Sequence, residues 1–160
     1  MLELIANIIK KHETSDPFRI CADLNITVIE LSMSGIRGMY KHIKKIPFIF
    51  LDNSLSERDA EFVCAHELGH YFLHKGGNRV FLDRCTRFVT SKSENESDLF
   101  AACLLAPFPE DIILADDTVY TVASKIGVPD NIAAMYINEY RKQLDKNRSL
   151  KSKLPNYTVI

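Results

Sequence analysis

Apolar residues recur along this chain with two different periods, and the switches between them outline its elements. Leu4, Ile5, Ile8 and Ile9 share one side of a helix expected over about residues 2–11. Ser15-Asp16-Pro17 then reads as a second helix start, with proline near the first helical position, running to about Leu24. The period changes at Ile26-Thr27-Val28-Ile29-Glu30-Leu31, a β-branched run that predicts a strand. Gly35 and Gly38 punctuate a turn region. Gly38-Met39-Tyr40 and Ile46–Leu51 are again strand-like, and Asp52-Asn53 ends the run. The three pieces predict a small sheet, expected to be antiparallel.

Helical spacing returns after the sheet. Ser54-Leu55-Ser56-Glu57 has the form of a capping box, and Phe62, Val63, His66, His70 and Leu73 follow one stripe down to His74. Gly76-Gly77 supplies a stop. Residues 75–92 show no clear period, and Val80-Phe81-Leu82 and Arg87-Phe88-Val89 read as short strands or loop. Ser93-Glu94-Asn95-Glu96 is a second capping box, followed by Leu99, Phe100, Cys103 and Leu104 at helical spacing, with Pro107 as the stop. Short helices are expected at Pro109–Leu114 and Thr121–Ile126. After a turn at Gly127-Val128, a longer one runs from Pro129 to about Leu144.

Composition narrows the class of protein without choosing a function. At 160 residues, 46% hydrophobic and 26% charged, the chain suits one soluble globular domain. A net charge of −1 gives no overall field favouring nucleic acid or an anionic membrane. Arg141, Lys142, Lys146, Arg148, Lys151 and Lys153 make the last stretch basic, the pattern of a solvated helix end and tail. No run approaches the roughly 18 apolar residues of a membrane span, and the N-terminus is too polar by Lys10-Lys11 for a signal peptide. Cys21, Cys64, Cys85 and Cys103 form no C-x-x-C pair and read as free thiols of a cytoplasmic protein.

The chemistry lies in His66-Glu67-Leu68-Gly69-His70. Histidines four apart on a helix share one face, so two imidazoles converge on one ion, with Zn–N bonds of about 2.0–2.1 Å. Glu67 sits one step round, where a carboxylate reaches a metal-bound water whose pKa the ion lowers to roughly 7. A lone histidine on this apolar stripe would be an ordinary core residue. Two at this spacing, with a glutamate after the first, point to metal.

A catalytic zinc site takes three protein ligands and leaves one position open. The extended motif with a third histidine at position 76 and glycine at 73 is absent, since Leu73 and Gly76 stand there. His74 is a weak candidate, because eight residues of helix turn it roughly 80° from the His66 direction. The next helix offers Glu94 and Asp98 four apart, with Glu96 between them. Glu94 is the preferred third ligand, and Asp98 the acceptor for a ligand histidine's other N–H. Glu96 is the lesser alternative. An acidic helix start that merely complements the dipole remains open for all three.

Taken together, these residues resemble the ImmA/IrrE family of metallopeptidases. The stretch from Ala65 to His74, AHELGHYFLH, is close to that family's AHELGHxxLH, and Glu94 to Pro107, ENESDLFAACLLAP, is similar to its ExEANxFAAxLLMP. A strand followed by an acidic helix start over Ile49–Arg58 adds a third match. The likeness is firm over 46–107 and looser on the flanks. Ser97, Asp98 and Ala106 depart from the pattern. The resemblance implies that Glu94, the first acid of its run, is the metal glutamate. It also implies cleavage of a helix-turn-helix transcriptional repressor inside the cell, switching on mobile-element or stress genes. The family's helix-turn-helix-like segment has a counterpart in Val122–Pro129. Its candidate reading helix, from Asn131 to Ile137, lacks the Arg, Lys and Gln that read base edges, so direct DNA binding is not expected.

The expectation is therefore an α+β fold with a zincin-like core, its small sheet packed on the motif helix. Residues 1–107 form that metallopeptidase core, 108–146 a helical, helix-turn-helix-like extension packed on it, and 147–160 a basic tail. The expected activity is that of a gluzincin-like endopeptidase with one Zn²⁺ per chain. His66, His70 and Glu94 hold the ion, Glu67 is the catalytic base and Asp98 orients a histidine. Two alternatives stand beside it: a non-catalytic regulator that binds a repressor or DNA, and the toxin half of a toxin–antitoxin pair.

Overall fold

Helical and extended segments follow one another much as the apolar periods predict. The computed structural model describes residues 1–74 and 87–152, the side chains of 87–91 and 150–152 excepted. Helix α1 (Leu2–His12) turns Leu2, Ile5 and Ile8 inward. Helix α2 (Pro17–Asp23) begins as expected, with Pro17 in the first turn and Asp16 accepting from the amides of Phe18 (2.8 Å) and Arg19 (3.3 Å). Strands β1 (Thr27–Leu31), β2 (Gly38–Ile43) and β3 (Ile46–Asp52) follow. Then come α3 (Glu57–Leu73), α4 (Arg87–Leu105), α5 (Pro109–Ile112), α6 (Val119–Ile126) and α7 (Asp130–Ser152).

The sheet is mixed rather than antiparallel. Its strand order is β1-β3-β2, with β3 antiparallel to β2 but parallel to β1. The reason is geometric: β2 carries the chain back to the end where β1 began, and β3 then enters between the two, running in β1's direction. Pro47 is tolerated in this central strand because β1 pairing starts only at Phe48, so Pro47 faces β2 alone. Ile49 and Leu51, both fully buried, are the central-strand residues of the core.

The starts of α3 and α4 differ from the expected ones, and α6 begins two residues early, at Val119. Ser54 is drawn into a turn on Asp52, and Ser56 caps α3 instead. The Ser56 Oγ accepts from the Asp59 amide at 3.2 Å and donates to the Asp59 carboxylate at 2.6 Å. Ser93 does not cap α4, which begins at Arg87 and takes in Arg87–Val89 as helix. Ser93 and Ser97 are both buried, so here small polar residues at a helix packing surface imitate a capping signal. The expectations for Gly76-Gly77 and Val80–Leu82 lie outside the described residues.

The C-terminal helices complete the core. Ile132, Ala133, Tyr136 and Ile137 of α7 are buried, and the Tyr136 hydroxyl donates to the Ala106 carbonyl at the end of α4 at 2.6 Å. Full burial of Phe100, Leu68 and Leu104 joins α3 and α4, at roughly 1.5–3 kcal/mol for each large apolar side chain. Helix α7 continues to Ser152, into the segment expected as tail. Among the described residues no helix is long and apolar enough to cross a membrane.

Candidate metal centre

Helices α3 and α4 approach closely because Gly69 has no side chain. A Cβ placed there would lie 3.0 Å from the Cα of Ser97 and 3.3 Å from the Cβ of Phe100. That contact sets His66 and His70 of α3 directly opposite the acidic stretch of α4. On the other side, Gly38 of β2 leaves room for Val63 and for Glu67, whose Oε1 would be 3.2 Å from a Cβ at that position. Glu67 is thereby buried, 7% exposed, between the motif helix and the sheet.

The resulting geometry gathers most of the residues singled out from sequence. His66 Nε2 lies 3.2 Å from Glu94 Oε2, and His70 Nε2 lies 3.4 Å from Glu94 Oε1. One donor atom from each of His66, His70 and Glu94 falls within 4.8 Å of the other two. Two imidazole nitrogens and a carboxylate are a donor set that could hold a metal ion. The rings are held from behind. His66 Nδ1 is 2.8 Å from Asp98 Oδ1, and His70 Nδ1 is 2.7 Å from Ser97 Oγ. His74 and Glu96, the lesser candidates, instead lie 3.6 Å from one another.

The charged groups of the site act on one another. Burial pulls the His66 imidazolium down, but hydrogen bonds to Asp98 and Glu94 and the charges of Glu67 and Asp98 outweigh it, leaving a pKa raised to about 9. Hydrogen bonds from His66 and His70 hold the Glu94 carboxyl well below the usual carboxylate range. Glu94 therefore carries its negative charge beside both Nε2 atoms.

Sequence reasoning missed Ser97, Gly69 and Gly38. Ser97 looked like a mere departure from a motif, yet its hydroxyl meets a histidine. Gly69 carried a signal, since glycine inside a helix is costly and calls for a packing reason. Nothing local says which element will approach.

A family model, Peptidase_M78, described as the IrrE N-terminal-like domain, matches residues 21–138, from α2 into α7. The chain is 35% identical over 135 residues to uncharacterized immunity region protein 2 of Bacillus phage phi105, an alignment covering 81% of this chain and 84% of that protein. It is 31% identical over 101 residues to metallopeptidase ImmA of Bacillus subtilis, covering 63% of this chain and 60% of that protein.

Proposed function

The chain belongs to the Peptidase_M78 family of IrrE N-terminal-like domains, and from that premise we propose that it is a zinc-dependent endopeptidase. The observation that carries this reading is the convergence of both Nε2 atoms on Glu94 while Asp98 and Ser97 hold the two Nδ1 atoms. A metal site needs that division of labour. One nitrogen of each ring binds and the other donates, which selects the tautomer.

His66, His70 and Glu94 are the proposed ligands of one Zn²⁺ in a zincin-type core. Bound zinc supplies a Lewis acid that polarises the scissile carbonyl and brings a water's pKa toward about 7. Glu67, held between α3 and β2, takes the proton of the attacking water and returns it to the leaving amine. Its burial keeps bulk water from screening that transfer. Asp98 accepts the Nδ1–H of His66 and keeps the ring turned toward the ligand position.

The proposed substrate is a helix-turn-helix repressor, so that cleavage derepresses mobile-element or stress genes. Support comes from the family resemblance and from the relative named for a phage immunity region. The segment α6–Gly127–α7 is the proposed helix-turn-helix-like part, with a packing or docking role. Burial of Ile132, Ala133, Tyr136 and Ile137 in α7 supports packing over DNA reading. The test is to incubate the purified protein with the repressor encoded beside its gene and to follow fragments by mass spectrometry. Zinc-dependent cleavage by the wild type and none by Glu67→Gln is expected. Cleavage surviving in Glu67→Gln, or an intact repressor in a stable complex with zinc-loaded wild type, would overturn the reading.

A further inference from the structure

We propose that Ser97 is a positioning residue for His70: its hydroxyl accepts the Nδ1–H and so fixes the ring for zinc. This rests on the metal-site reading above and adds to it a residue that no motif assigns. The geometry is specific. Ser97 is 0% exposed, its Oγ is 2.7 Å from His70 Nδ1, and the opposite nitrogen of the same ring faces Glu94 at 3.4 Å. When Nε2 binds an ion, the remaining ring proton must sit on Nδ1, and an acceptor at that place is what the ring requires.

The two histidines are thus held differently. His66 has an anionic acceptor in Asp98, whereas His70 has a neutral one. A carboxylate raises a ligand's basicity as well as orienting it, while a hydroxyl orients without adding charge. The small hydroxyl also suits its place. Ser97 lies tight against Gly69 between α3 and α4, where a bulkier acceptor would push the helices apart. One residue therefore combines the tight helix contact with the hydrogen bond to His70.

The test compares wild type with Ser97→Ala by chelator competition for zinc and by proton NMR of the ring N–H groups in zinc-loaded, nitrogen-15-labelled protein. Zinc binding is expected to weaken about 10–100-fold. The His70 Nδ1 proton should lose its downfield shift and exchange faster with water, while that of His66, held by Asp98, stays as it was. A merely structural serine would not move one ring selectively. Wild-type affinity, or an unchanged His70 signal, overturns the inference. Should Ser97→Ala fail to fold, the zinc-loaded wild type still tests the inference by itself. A His70 Nδ1 proton that is shifted downfield and slow to exchange is expected, and one that exchanges freely with water is the contrary result. Wild-type protein that takes up no zinc would instead sink the metal reading itself.

Discussion

Gly69 of α3 lies against Ser97 of α4 so closely that a single added carbon would stand 3.0 Å from the Ser97 Cα. Backbone is on the receiving side of that contact, so it cannot swing away as a flexible side chain would. Gly69→Ala is therefore expected to separate the helices and cost about 1–3 kcal/mol, despite alanine's better helix propensity. Denaturant unfolding measures this. A variant as stable as wild type, with unchanged zinc affinity, would contradict it.

Removing the acceptor behind His66 should weaken the metal while leaving the helical content intact. Asp98 is partly exposed and its bond to His66 is 2.8 Å. Asp98→Ala is expected to lose about 10–100-fold in zinc affinity, read by chelator competition, with its far-ultraviolet dichroism retained.

The metal-free protein should have a distinctive pH dependence. The pKa of folded His66 is raised to about 9, above its ordinary value. A raised pKa means that the charged ring stabilises the fold, fully below roughly pH 6.5 and progressively less as pH climbs through 9. Thermal melts of metal-free wild type should therefore fall across that window more steeply than those of His66→Gln. Zinc should remove the difference, because the ligated ring carries no titrating proton at Nε2. Parallel profiles for the two metal-free proteins would contradict the account.

Helix α7 should behave as part of the core. Tyr136→Phe deletes the 2.6 Å bond to the Ala106 carbonyl and leaves a buried acceptor, at a cost of about 1–3 kcal/mol. The melting temperature measures it. An unchanged value would mean that α7 is not anchored at this point.

Local chemistry explains which features could be read before the structure. The Asp16-Pro17 start and the placing of His66, Glu67 and His70 on one helix and of Glu94 and Asp98 on another depend on short-range signals, and the structure has them so. What could not be read depends on partners distant in sequence. Strand direction follows from β3 entering between β1 and β2, and the S-x-x-E pattern at Ser93 falls inside α4, which begins at Arg87. Ser97 showed no role until Gly69 brought His70 beside it.

The metal site itself is tested most directly by crystals of zinc-loaded protein, with diffraction measured on either side of the zinc absorption edge. One anomalous peak per chain is predicted, about 2.0–2.2 Å from His66 Nε2, His70 Nε2 and a Glu94 oxygen. No peak there, or a zinc held by other residues, would contradict the account.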